Sequence, residues 1–443
     1  MKNKQLFTTL FFLLSGGIIF SQSGSELTLS LEDAQEFAIQ NNKRIISARL
    51  EVEASRMAIW ETISNALPQI TTSGSFTDNL KLMTTLLPGE FFGQPGEKIP
   101  VTFGSQFNSS ASVQASILLF NAPLYLGIET TKLAKHLSEQ NLEKSELDTK
   151  ESVSNVYFLI LVSERSREII VENIENLNET LKATNVMYAA GMAEKTDVDQ
   201  MQQNVTMVEN SLSSLDRTIE VNYNLMRFQL GVAPDTRIIL TETLESLTAD
   251  INVEALLSQE FDHTENVDYK LIEGQEQMSL LALKTQKVLA LPTLSGFYNY
   301  GTNGMGDKIS ELRWFQNSMA GLQLSLPIFA SGQRYTRIRK AQINLENARN
   351  TKEMIEDQLL LQEKQLRYNL VNANLQYKSQ KDNVEVSMRI YKNMENKYKQ
   401  GMASSLDLTQ ANSLYLQAEN NYVSALMNLL QTKLALDKLL NNI

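Results

Sequence analysis

Two stretches of this chain are versions of one another. Residues 188–197 read YAAGMAEKTD and residues 398–407 read YKQGMASSLD, with tyrosine, glycine, methionine, alanine and aspartate each recurring at an offset of 210 residues. A self-match at one fixed distance decides architecture before any side-chain chemistry does. Each copy punctuates a long helical run, 122–188 and 331–398, of roughly 67 and 68 residues. At 1.5 Å per residue such runs are about 100 Å long, which no globular core matches. The economical reading is two similar halves, each folding back once at a glycine turn. Gly191 and Gly401 suit that turn because the residue closing a helix before a reversal commonly adopts the left-handed conformation.

The remaining helical stretches fit the same scheme. Residues 31–66 carry Leu31, Ala34, Ala38, Ile45, Ala48, Val52, Ile59 and Ala66 at steps of three, four or seven, a coiled-coil seam. Ser30 is placed to cap this helix, with Glu32 and Asp33 in its first turn. Residues 196–230 form the helix after the first turn, stopped by Gly231 and Pro234, and 405–440 the helix after the second. Residues 237–247 read as a connection and 251–290 as helix.

Between the helices the period changes from 3.6 to 2. Ile70, Thr72, Gly74 and Phe76 alternate with polar neighbours, and Ala111, Val113, Ala115, Ile117 and Leu119 alternate almost wholly with hydroxyl and amide side chains. The second half repeats this with Leu294, Gly296, Tyr298 and Tyr300, then Ala320, Leu322, Leu324 and Leu326. Residues 80–106, rich in proline and glycine, read as a long loop, and 301–306 (GTNGMG) as a hairpin loop rather than a phosphate loop. Four strands of roughly ten residues have the length to cross a bilayer at a tilt. Four strands cannot close a barrel, and an open edge is not tolerated in lipid. Copies of the chain must therefore pool strands, two reaching 8 and three 12. Phe76, Phe107, Tyr298, Tyr300, Trp314 and Phe315, near strand ends, are candidates for interfacial girdles.

Composition narrows the partners. Residues 1–21, with Lys2 and Lys4 before an apolar run, have the pattern of a secretory signal peptide. Without those lysines the basic count falls from 40 to 38 against 51 acidic residues, and the net charge from −11 to −13. That balance argues against nucleic acid as a partner. The chain has no cysteine, so it forms no disulfide and no thiolate metal site. His136 and His263 lack a partner pattern and read as surface residues, and the 16 methionines, scattered on helices, read as packing. No nucleophile, base and orienter set and no cofactor motif is apparent, so the chain is not expected to be an enzyme or to hold a cofactor.

The order LTLSLEDAQEFAIQNN, ALPQI, YAAGMAEKTD, LALPTL, LSLPIFASGQR and YKQGMASSLD, behind a signal peptide, resembles the TolC-like outer-membrane efflux proteins over nearly the whole mature chain. The resemblance implies a mainly α fold with a membrane β portion: a two-fold internal repeat, long coiled-coil hairpins forming an α-barrel, and four strands per chain in a trimeric 12-stranded β-barrel. It implies a homotrimer in outer-membrane lipid, a helical part in the periplasm, and docking to a periplasmic adaptor and an inner-membrane pump. The expected divisions are 22–66, the N-terminal periplasmic helix; 67–121, the first outer-membrane β-hairpin with a long extracellular loop; 122–230, the first helical hairpin with its tip at 189–196; 231–290, an equatorial connection and helix; 291–330, the second outer-membrane β-hairpin; and 331–443, the second helical hairpin with its tip at 399–405. The implied function is a passive exit duct for efflux or type I secretion, gated at its tip; the alternative is a structural coiled-coil or adaptor protein of the envelope.

Position by position, Asp407 matches an aspartate of the family's anionic entrance ring, while Gln410 stands where some members carry a second. Tyr398 and Asp197 match residues that hold hairpins together in the closed state. Ala403 stands where some members carry an arginine, so the latch between hairpins is expected to be either looser here or built from Lys195; Asp197 and Asp199 also read as helix caps. Gly191, Met192 and Ala193, with Gly401, Met402 and Ala403, form turns small enough for an adaptor to approach, flanked by Ala189, Ala190, Ser404 and Ser405.

Overall fold

The computed structural model describes residues 26–93, 96–249 and 251–443, so the expected signal segment 1–21 lies outside the described residues. In chain order the elements are β1 (Glu26–Leu29), α1 (Leu31–Asn41), α2 (Lys43–Ser64), β2 (Gln69–Asp78), β3 (Met83–Pro88), β4 (Lys98–Phe103), β5 (Phe107–Phe120), α3 (Ala122–Ala189), α4 (Lys195–Leu230), β6 (Arg237–Leu240), α5 (Leu244–Ala249), α6 (Val253–Ser258), α7 (Val267–Val288), β7 (Thr293–Gly306), β8 (Arg313–Ser325), α8 (Gln333–Lys399) and α9 (Ser405–Leu439). Short 3-10 turns lie at Gly89–Phe92, His263–Glu265 and Ile309–Glu311. The residues fall into two units, one of 26–42, Ser152–Ile251 and Gln376–Leu430, the other of Lys43–Glu151, Asn252–Leu375 and Gln431–Ile443.

The second unit holds a four-stranded antiparallel sheet in the order β2-β5-β7-β8. Its register gives the two faces different characters. Ile70, Val113, Ala115, Ile117, Tyr298, Tyr300, Leu322 and Leu324 fall on one face. The opposite face carries Ser73, Ser75, Ser110, Ser112, Gln114, Asn299, Asn303 and Asn317, with Ser73–Ser112 and Ser75–Ser110 hydroxyl pairs at 2.9 and 2.7 Å. Within these strands Arg313, at the start of β8, is the polar face's only ionisable side chain. Among the described residues nothing covers the apolar face: Ile70 is 74% and Leu322 71% exposed. Burying such a side chain is worth about 1.5–3 kcal/mol, so this face demands an apolar medium. The strands β2 and β8 each have one partner and one open edge.

Register also corrects one girdle expectation. Phe76, Phe107, Tyr298, Tyr300 and Trp314 share the apolar face, whereas Phe315, opposite Asn303, is on the polar one. Residues 301–306, expected as a loop, are the end of β7, with 301–305 paired on both sides and Gly306 with Phe107 alone. The glycines there are covered from the next strand: a Cβ on Gly304 would lie 3.0 Å from the Trp314 indole, and one on Gly301 2.9 Å from Asn317 Oδ1. A cross-strand ring over a glycine supplies the packing the glycine lacks. The turn instead lies between Gly306 and Arg313.

The loop expected at 80–106 contains a two-stranded hairpin, β3 with β4, despite Pro88 and Pro100. Proline is admissible because each strand is an edge there. Below the main sheet the helices pack on buried seams, including Leu283, Ala341 and Leu345, and Tyr269, Leu359 and Leu439. The single helix expected over 251–290 is broken into α6, a 3-10 turn and α7. Arg367 donates to the carbonyls of Leu257 and Gln259, both at 2.6 Å, and so satisfies the end of α6.

In the first unit β1 pairs in parallel with β6, two strands of four residues that were expected as part of a helix and of a connection. The helix expected over 31–66 is broken at Asn42, whose backbone is extended and whose amide donates to Gln229 O at 2.7 Å. Gly231 closes α4 with φ +71° directly against the Asn41 carbonyl. The core here is made by Ala34, Ala38, Tyr157, Ile160, Leu177, Val205 and Met226, all fully or nearly fully buried. Ala34, Ala38, Ile45 and Val52 of the expected seam are buried.

Candidate functional site at the paired turns

The two repeated stretches end their helices in the same way. Gly191 has φ +74° and Gly401 φ +72°. Met192 N donates to Met187 O and Met402 N to Lys397 O, each at 2.8 Å; Gly191 N donates to Tyr188 O at 3.0 Å and Gly401 N to Tyr398 O at 2.9 Å. These are paired Schellman closures. Each glycine faces open space where a Cβ would stand, and Met192 and Met402 are exposed, with Ala193 and Ala403 partly so.

The following helices also start alike. Asp197 is the third residue of α4 and accepts from Glu194 N at 2.9 Å, while Asp407, at the matching place in α9, accepts from Ser404 N at 3.1 Å and Ser404 Oγ at 2.7 Å. Both are capping-box carboxylates favoured by the helix dipole. The hydrogen bonds from Ser404 hold the Asp407 carboxyl below its usual value, and the group is exposed.

The copies then diverge. Ser405 Oγ reaches across from α9 to Asp197 Oδ1 at 2.5 Å, with Gln200 Oε1 3.1 Å from the same hydroxyl. That bond, and then the Glu194 amide, hold the Asp197 carboxyl low. Tyr398, 5% exposed, sits 2.7 Å from Thr184 Oγ1, and since Thr184 donates to Thr180 O at 2.8 Å, the tyrosine hydroxyl is the donor. Tyr188, its repeat mate, is 45% exposed. Burial pushes the Tyr398 hydroxyl up, so it remains a donor at neutral pH.

Further along the same helices, Asn204 Nδ2 donates to Thr409 Oγ1 at 2.7 Å, and Asn173 and Asn412 are paired in the core at 2.7 Å. Tyr391 stacks on Tyr415 with centroids 5.7 Å apart. Burial pushes the Tyr391 hydroxyl up to about 12, and the atom has no hydrogen-bond partner among the described residues. Lys195, the expected substitute cation, is paired in the protomer with Asp199 at 2.9 Å on its own helix. Gln410 is exposed. The structure thus brings Asp197 and the second turn together through Ser405, and Tyr398 and the first hairpin through Thr184; it leaves Asp199 and Gln410 on the surface. Ser405 was legible only as a small flanking residue. Thr184, 214 residues from its partner, carried no signal at all.

The family model for outer membrane efflux protein matches residues 36–232 and 283–442. The chain belongs to this family. Among solved structures it is similar to the outer-membrane protein VceC of Vibrio cholerae, at 15% identity and a TM-score of 0.71, covering 93% of this chain and 95% of that one. The CmeC outer-membrane channel of Campylobacter jejuni matches at 16% identity and TM-score 0.70, over 93% and 85%. The open state of the MtrE outer-membrane channel of Neisseria gonorrhoeae matches at 15% and 0.70, over 93% and 88%. Among curated proteins none matches significantly. This efflux protein is therefore homologous to outer-membrane channels and is itself an outer-membrane protein.

Proposed function

We propose that three copies of this efflux protein pool their sheets into one 12-stranded barrel and their helices into a tunnel. The tunnel would end at the paired turns and act as a passive exit duct that hydrolyses nothing. The single observation that supports this most is the uncovered four-stranded sheet, with one apolar face, one polar face and two open edges. In lipid those edges are tolerable only when closed by further strands. A periplasmic adaptor would dock on Gly191, Met192, Ala193, Gly401, Met402 and Ala403, and an inner-membrane pump would supply the energy. Asp407 would form an anionic ring at the entrance, with Gln410 adding no charge; Tyr398, Asp197 and Asp199 would belong to the closed tip. The envelope-scaffold alternative gains no support from the sheet, which a soluble coiled coil would not need.

Purified protein added to a planar bilayer is expected to give discrete low-conductance steps, blocked by multivalent cations. Asp407→Asn, which keeps a capping oxygen while removing the charge, should weaken that block. A trimer that never conducts would defeat the duct reading. Docking has its own measurement. Gly401→Val combined with Gly191→Val should leave the trimer assembled but abolish adaptor-dependent efflux, because a β-branched residue at positive φ re-aims the turn. Full efflux by the double variant would remove the turns as the docking surface.

A further inference from the structure

In the first unit, residues of α3, α5, α8 and α9 line a cavity of about 550 Å³. Small-molecule sites usually occupy about 300–1,000 Å³. The apolar wall comes from Leu244 on α5, Val384 and Met388 on α8, and Val423 and Leu426 on α9. Tyr377 of α8 and Tyr422 of α9 stand together in the lining, their ring centroids 5.7 Å apart and their planes tilted by 30°. Both tyrosines are half-buried, so neither ring is consumed by the core.

The charged side chains of the lining differ in burial. Arg165, Lys381 and Glu385 are exposed, and Arg165 is paired with Glu168 at 2.9 Å. Lys381 and Glu385, one turn apart on α8, oppose one another in water. Of the described charged side chains in the lining, Glu419 alone is buried, at 8% exposure. Burial pushes its carboxyl up, even though the Tyr415 hydroxyl donates to it and Arg165 attracts it. A carboxylate offers about four acceptor positions, and leaving them unfilled away from water costs free energy. The cavity beside Glu419 is where a further donor can stand.

We propose that this cavity is a binding site for a small organic cation, an ammonium or amidinium on an aromatic or apolar body, with the charge on Glu419 and the body against Tyr377, Tyr422 and the aliphatic wall. The two rings favour the same sign of charge, because the face of an aromatic ring attracts a cation within about 6 Å. An anion in the same place would face a buried carboxylate with no compensating partner, which is strongly unfavourable. The site is made by residues of one chain and uses none of the residues of the paired turns, so it stands apart from the duct reading.

Equilibrium dialysis of the full protein in detergent tests this with two probes that share one ring system and differ in sign, naphthylmethylammonium and naphthoate. The ammonium should bind saturably at one site per chain, and the naphthoate at least tenfold more weakly. Glu419→Gln, which keeps the shape and the contact with Tyr415, should weaken ammonium binding about tenfold or more, as loss of a charge-assisted bond does. Its thermal unfolding should not fall, since a buried charge has been removed. Tyr377→Leu, on the half-buried side of the cavity, should weaken it severalfold. Glu179→Gln, an exposed carboxylate of α3 outside the cavity, should leave it unchanged. Absence of saturable binding, equal binding of the two probes, or undiminished ammonium binding by Glu419→Gln overturns the proposal. Silence in the planar bilayer would defeat the duct and leave the dialysis result as it is.

Discussion

Gly231→Ala is expected to destabilise this efflux protein more than any other glycine-to-alanine change at its helix ends. The residue closes α4 at φ +71°, and an added Cβ would lie 2.4 Å from the Asn41 carbonyl oxygen and 3.4 Å from Asn42 Cα. The left-handed backbone alone costs an L-residue about 1–2 kcal/mol. Forcing backbone apart in a packed site adds about 1–3 kcal/mol. Gly191→Ala is the control, because it has nearly the same φ, +74°, with nothing near the new methyl. Thermal unfolding should therefore place Gly231→Ala well below Gly191→Ala, itself modestly below the parent. Equal shifts would mean that the contact between α4 and the break after α1 yields freely. That contact is where Asn42 ends one helix and Gln229 begins to close another, so the variant should also loosen amide protons of α1 in hydrogen exchange.

The second large effect is expected at Ser405. Its hydroxyl donates to the Asp197 carboxylate, a charge-assisted bond of the kind worth about 1.5–3 kcal/mol. Each 1.4 kcal/mol is about tenfold in an equilibrium constant, so Ser405→Ala should raise the open probability of reconstituted channels by about an order of magnitude. The pH dependence has a definite sign. Asp197 has its folded pKa depressed below 3.8, so the bond contributes fully above the unfolded value and is lost as pH falls through the folded one. Between pH 7 and 5 the parent channel should stay closed, opening only below about 3.8, whereas Ser405→Ala should lack this acid step. An acid opening that is identical in both would remove Asp197 from the latch.

How much of this was legible follows from the physics of each signal. The long helices and both turns were, because heptad spacing and a glycine before a small-residue turn act locally. So was the alternation of β5, where every second side chain from Ser110 to Ser116 is a hydroxyl or amide. β1 and β6 were not, since four residues are too few for a period to register. β7 was cut short because GTNGMG looks like a loop until Trp314 is seen lying over Gly304, a contact set by the partner strand. At the tip, Asp197 and Tyr398 were reached through resemblance. Their partners Ser405 and Thr184 were not, because both are small hydroxyl residues whose meaning depends entirely on what lies across the hairpin.

The polar face of the sheet has one further consequence. Water against Ser73, Ser112, Gln114 and Asn299 is hydrogen-bonded but feels no fixed charge, since the only ionisable side chain on that face of the strands is Arg313 at one end. Along those residues a barrel lined in this way would be wet yet electrically silent, with its fixed charge confined to the Arg313 end. Any asymmetry in the current–voltage curve would then be written by the Arg313 end and by the helices, and salt would alter the traffic only where such charges line the path.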